Sequence, residues 1–190
     1  MKRPPDDLAQ RLLDISEQVL RATPPPRLED IANQVGASRA TLYYYFAGRD
    51  DLLVFLLTAH TQDGAQAVRK AIDPDGPPEQ RLREMVAALS AYLAHRPGVC
   101  VGLLGALGAA GRMAEALEAN DEWIAGPLRE LLTECHASGA IRAVDVSDAA
   151  NAVLGGILLA VLGRAMADTD PSDPAFLEQL CDQVLHGILA

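Results

Sequence analysis

The chain has 190 residues, of which 49% are hydrophobic and 4% aromatic, enough apolar material for one large or two small cores. The net charge is −10, yet residues 1–52 hold seven basic and eight acidic side chains, so nearly all the acidic excess lies beyond them, where it aids solubility. Three isolated cysteines (Cys100, Cys135 and Cys181) argue against a disulfide framework, the charged N-terminus holds no apolar leader, and the uncharged apolar runs over 99–111 and 149–163 fall short of the ~20 residues of a bilayer-spanning helix. These features point to a cytoplasmic protein with no membrane partner.

Abundant Ala and Leu and the lack of β-branched runs predict an all-α fold. A first helix is expected over 6–21, with Leu8, Leu12, Ile15 and Val19 on its inner face. Leu28, Ile31, Ala32 and Val35 then recur at i, i+3, i+4 and i+7, one face of a short second helix. Gly36 suits the left-handed residue that ends a helix, and Ser38 is a favoured N-cap for the next one. In that third helix Leu42 and Phe46 face inward, leaving Arg39, Thr41, Tyr44 and Tyr45 largely on other faces. Two short helices around a tight turn, with Arg, Thr and tyrosines outward, form a helix-turn-helix whose exposed face suits phosphates and base edges.

The run Asp30-Ile31-Ala32, Gly36, Ser38, Thr41-Leu42-Tyr43-Tyr44-Tyr45-Phe46 and Arg49-Asp50-Asp51-Leu52 resembles the N-terminal DNA-binding domain of the TetR family of bacterial transcriptional regulators. The resemblance spans roughly residues 8–55. It implies a ligand-responsive regulator, most often a repressor, that binds a near-palindromic operator in double-stranded DNA as a homodimer. Arg39, Thr41 and Tyr44 would meet base edges beside Ser38 and Tyr45. Tyr43 and Arg49 would touch phosphates, and Lys2 and Arg3 could enter the minor groove as an arm. Thr23-Pro24-Pro25-Pro26-Arg27 stands where the family usually has a glycine and two threonines; Arg27 would then supply by charge the phosphate contact of a threonine hydroxyl.

A fourth helix is expected over 49–72, long enough to link two domains, residues 1–50 and 51–190, and 73–78 (DPDGPP) breaks it. A fifth follows over 79–95. Residues 99–111, with Gly102, Gly105, Gly108 and Gly111, read as a short, closely packed buried helix, since no Gly-Lys-Ser/Thr ending marks a phosphate loop. A seventh helix over 112–138 carries a kink signal at Gly126-Pro127, and helices over 147–168 and 174–189 complete a C-terminal bundle, about nine helices in all. Ala152, Gly156, Leu159 and Gly163 on the eighth, with Leu177, Leu180, Val184 and Ile188 on the ninth, would form the dimer face that the resemblance implies.

Met85, Leu89 and Tyr92 on the fifth helix, Leu103 and Leu107 on the sixth, and Met113 and Trp123 on the seventh are rich enough in flexible and small neighbours to line a cavity for a small apolar or aromatic effector, with Arg112 as a further polar handle. The four histidines lie on four separate helices with no zinc-ligand spacing, and no nucleophile elbow or His-Glu-x-x-His run occurs. The reading is of a protein that is not an enzyme and needs no metal or cofactor. A helical small-molecule-binding protein without operator binding is the alternative.

Overall fold

The computed structural model describes residues 3–109 and 111–186, among which every regular element is a helix. The first expected helix is two: α1 (Asp6–Asp14) and α2 (Ser16–Arg21), parted at Ile15. The Ser16 hydroxyl donates to the Leu13 carbonyl at 2.6 Å, a local bond that competes with the helical ladder. Helices α3 (Leu28–Gln34) and α4 (Arg39–Tyr45) form the helix-turn-helix. Gly36 between them has φ +63°, and the Arg11 guanidinium of α1 reaches over to the Val35 carbonyl beside it, so a cation closes the open end of α3.

Helix α5 (Arg49–Ala71) belongs to both halves of the molecule. Its Leu52 and Leu56 complete the N-terminal core of Leu8, Leu12, Leu28, Ile31, Leu42 and Phe46. Its Val54, Leu57 and Ala65 belong to the larger C-terminal core. That larger core is built with α6 (Pro78–Ala94), α7 (Pro97–Gly108), α8 (Ala114–Asn120), α9 (Gly126–Ala137), α10 (Val146–Met166) and α11 (Pro174–His186).

Three expectations change here. The seventh helix is split, because Asp121–Ala125 is a π-turn between α8 and α9. Pro127 has no N–H for the Trp123 carbonyl, and the backbone widens to an i→i−5 bond from Gly126 to Asp121. A Cβ on Gly126 would lie 2.9 Å from that carbonyl oxygen. With the split at Ile15, this turns nine expected helices into eleven α-helices and one π-turn among the described residues.

Second, α7 is closely packed only at its start. A Cβ on Gly98 would lie 2.7 Å from the Glu17 carbonyl oxygen and one on Gly102 2.8 Å from Leu20 and Leu57, whereas Gly105, Gly108 and Gly111 have nothing within 4 Å. The two early glycines let α7 dock on α2, and the Gly98 N–H reaches both Glu17 carboxylate oxygens at 2.7 and 2.9 Å.

Third, the apolar run over 149–163 sits within α10, a 21-residue helix long and apolar enough to cross a membrane by length and composition. Ala149, Ala150, Val153, Ile157 and Val161 are buried against the rest of the body, but only 28% of its most apolar stretch is covered. Ala152, Leu159, Gly163 and Met166 face outward. Gly156 turns toward α11, where an added Cβ would touch Val184 at 3.3 Å, and Leu180 is core. Ile188 lies outside the described residues.

Candidate functional site

The outer face of the helix-turn-helix is built around the start of α4. Ser38 caps it, its Oγ accepting the Thr41 N–H at 3.0 Å and meeting the Thr41 hydroxyl at 2.8 Å. The cap fixes the first turn, from which Arg39 projects. Tyr43 and Tyr44 are 43% and 59% exposed, large values for aromatic side chains on a seven-residue helix. Tyr45 instead leans on the N-terminal core and takes the ring edge of Tyr44 at 4.9 Å, so it supports the face more than it forms it.

Arg39 and Tyr43 are already engaged with each other and with α3. The guanidinium stacks 5.3 Å from the Tyr43 ring centre and pairs with Glu29 at 3.1 Å, while the Tyr43 hydroxyl donates to the same carboxylate oxygen at 3.2 Å. Glu29's own backbone N–H, then Tyr43, Arg39 and Arg27, hold its carboxyl below the usual range. Arg27 is exposed at the N-terminus of α3, where its backbone N–H bonds to Asp30 at 3.2 Å. Arg49 opens α5 half-buried, and its Nε has no hydrogen-bond partner. Arg3 pairs with Asp6 at the exposed N-terminus, and Lys2 lies outside the described residues.

A cavity of about 80 Å³ lies in the C-terminal body between α5, α6, α7, α8, the π-turn and α10. Four of the expected residues line it: Leu89, Tyr92, Leu103 and Leu107. Met85 and Trp123 do not. They line a separate cleft of about 290 Å³ with Arg69, Arg81 and Glu134. There the π-turn carries Trp123 beneath the Arg69 guanidinium at 5.6 Å. Met113 is buried and lines neither. Arg112 pairs with Asp50 at 3.2 Å, where head and body meet, rather than serving the cavity.

The polar groups of the cavity are His60, Thr61, Tyr92 and Asn120, of which sequence reasoning found only Tyr92. His60 follows Leu56 and Leu57 by four and three residues, which places it on the inward face of α5. That spacing was the available signal. Its Nε2 meets the Ser16 hydroxyl at 2.8 Å and its Nδ1 the Tyr92 hydroxyl at 3.1 Å. Burial, reinforced by Arg96, pushes the imidazole below its ordinary pKa, and burial pushes the Tyr92 phenol up. Arg96 lies over the Tyr92 ring at 4.3 Å. Among the described residues no group of His, Cys, Asp and Glu side chains is placed to hold a metal ion.

Residues 26–54 match the sequence model of bacterial regulatory proteins, tetR family. No curated protein matches the chain at the sequence level. Solved structures share the fold. A bacterial regulatory protein in the tetR family from Rhodococcus RHA1 superposes with a TM-score of 0.80 at 16% identity, covering 98% of this chain and 100% of that one. The fatty acid degradation regulator FadR from Bacillus halodurans gives 0.78 at 20% identity over 97% of each chain. The transcriptional regulator FadR from Bacillus subtilis, in complex with stearoyl-CoA, gives 0.76 at 21% identity over 94% of this chain and 98% of that one.

Proposed function

We propose that this chain, whose fold and helix-turn-helix are those of the TetR family, is a ligand-responsive transcriptional repressor of the cytoplasm that binds a near-palindromic operator as a dimer. The observation that carries the reading is the outer face of α4. A Ser38-capped helix presents Arg39, Tyr43 and Tyr44 to solvent on a head with almost no net charge. Arg39 and Tyr44 would meet base edges, and Tyr43, Arg27 and Arg49 phosphates. Because the head is not basic, non-specific affinity is low and selectivity rests on these few contacts.

The dimer would form through the outward stripe of α10, Ala152, Leu159, Gly163 and Met166, beside α11. Leu159 and Met166, 61% and 76% exposed, are costly to leave in water. Two heads related by a two-fold axis would read half-sites one helical turn apart, about 34–36 Å.

The effector would enter the apolar cavity beside His60 and Tyr92 and bind the DNA-releasing conformation more tightly. At about 80 Å³ the cavity is smaller than one that holds benzene, about 150 Å³. Any effector, an acyl chain included, would therefore have to widen it, and widening it moves α7, which is docked on α2 of the head. Fluorescence anisotropy with labelled DNA flanking the protein's own gene tests the reading. Saturable, competitor-resistant binding is the expected result, and affinity equal to that for random duplex would refute it.

A further inference from the structure

The polar corner of the cavity is a chain of three hydrogen bonds whose protons are fixed by counting donors. Ser16 gives its one hydroxyl proton to the Leu13 carbonyl at 2.6 Å. Its oxygen therefore accepts from His60 Nε2 at 2.8 Å. A neutral imidazole carries one N–H, so Nδ1 is bare and accepts from the Tyr92 hydroxyl at 3.1 Å. Ser16 and His60 are only 2% and 7% exposed, so water does not substitute for these partners. The chain runs from the cavity wall on α6, through α5, to the break between α1 and α2. Of the residues lining the cavity, none is Lys, Arg, Asp or Glu, and Arg96, whose charge reaches the polar corner, is engaged over the Tyr92 ring, so a charged occupant would meet no counter-ion on the cavity wall.

We propose that the cavity takes an uncharged, largely apolar molecule bearing a carbonyl oxygen, and that this oxygen acts by inserting between Tyr92 and His60 and forcing the ring proton from Nε2 to Nδ1. The proposal rests on the ligand-responsive reading above and specifies its chemistry. A carbonyl only accepts. Seated between the two groups it takes the Tyr92 proton and requires a second donor, which His60 supplies only as the Nδ1–H tautomer. The ring stays neutral: one proton leaves at Nε2 and one arrives at Nδ1, both exchanged with solvent while the cavity is opened by the entering molecule. Bare Nε2 can then be satisfied only if Ser16 turns its hydroxyl toward it, which withdraws the proton from the Leu13 carbonyl at the head. An alcohol behaves differently, because it accepts from Tyr92 and donates to Nδ1, leaving Nε2–H, Ser16 and Leu13 as they were. The same relay thus separates carbonyl from hydroxyl compounds of one shape.

The test uses the full-length protein with 2-octanone, 2-octanol and octanoate, which share a chain length. Long-range proton–nitrogen NMR of the His60 ring should show protonated Nε2 in the free protein and with the alcohol, and protonated Nδ1 with the ketone. The ketone should weaken DNA binding about tenfold in the wild type and less than twofold in Ser16→Ala, with ketone affinity retained. Ser16→Thr, which keeps the hydroxyl, should keep the response. A free protein with protonated Nδ1, the same ring state with ketone and alcohol, or an undiminished response in Ser16→Ala would overturn the relay. Absence of ketone binding, or tighter binding of octanoate at neutral pH, would overturn the ligand class. Failure of the wild type to bind its flanking DNA would overturn the regulator reading, while the ring-nitrogen signals would still decide the tautomer switch.

Discussion

Replacing Gly98 by Ala should weaken the protein, and replacing Gly105, two turns along the same helix, should strengthen it. At Gly98 the new methyl would sit 2.6 Å from Glu17 Oε2 and 2.7 Å from the Glu17 carbonyl oxygen. An ordinary C···O contact is ~3.3 Å, so the groups must part by roughly 0.6 Å. The carboxylate can swing aside, but it then gives up the Gly98 N–H that both its oxygens share. The carbonyl belongs to α2 and moves only if α2 moves. Loss of that charge-assisted bond at a partly exposed site costs about 1–2 kcal/mol and the strain about as much again, less up to ~1 kcal/mol for the better helix propensity of Ala, a net loss of about 2 kcal/mol. Gly105 is exposed, with nothing within 4 Å of its added methyl, and there Ala should gain about 0.5–1 kcal/mol. Urea unfolding at one protein concentration separates the two variants, which should fall on opposite sides of the wild type. Equal midpoints, or a stabilised Gly98→Ala, would show that α7 is not seated on α2 as described.

Four further outcomes follow from the site and the body. Arg39→Ala should cost about 1–3 kcal/mol at the operator and relax preference at one base position, read from affinities for a set of single-base operator variants. Arg49→Ala should weaken all sequences alike and lower the slope of log affinity against log salt by about one, which a salt titration measures. Glu17 holds its proton more tightly than an ordinary carboxyl because burial outweighs the Gly98 N–H and the neighbouring arginines. A raised carboxyl favours the fold at low pH and loses that advantage as pH climbs through the raised value, so Glu17→Gln should flatten the fall in stability above pH 4.5, measured by urea midpoints across pH. Leu159→Glu on the exposed stripe of α10 should convert dimer to monomer in sedimentation equilibrium without loss of helix content, and an unchanged mass would remove α10 from the interface.

The helix-turn-helix was legible because its determinants are close in sequence. Gly36 has the positive φ its place demands, Ser38 caps the helix it precedes, and Leu42 and Phe46 are fully buried as their spacing requires. The interruptions were harder to see. Gly126-Pro127 announced a disturbance but not its form, and Ser16 gave no sign of breaking the first helix, because a serine at a helical position shows neither its bond back to the Leu13 carbonyl nor the partner that holds its oxygen, His60, 44 residues away. The cavity was half legible for a related reason. Apolar residues at helical spacing look alike whether they face a void or a neighbour, and the register of the π-turn sends Ile124 to the cavity and Trp123 to the cleft. The polar corner escaped because a histidine facing inward has no marker except the leucines beside it.

Helix α5 gives Leu52 and Leu56 to one core and Val54, Leu57 and Ala65, interleaved with them, to another. Such a rod has no hinge at which the protein can be cut. A fragment ending at residue 50 would lack Leu52 and Leu56, both almost wholly buried, and a body starting there would carry them bare. Anyone transplanting this head onto another body would therefore have to carry α5 as far as Phe55 and Leu56 and match the recipient at Val54 as well as from Leu57 onward. Shuffling of such heads between bodies in evolution would face the same restriction, with viable crossovers falling inside a helix rather than in a loop.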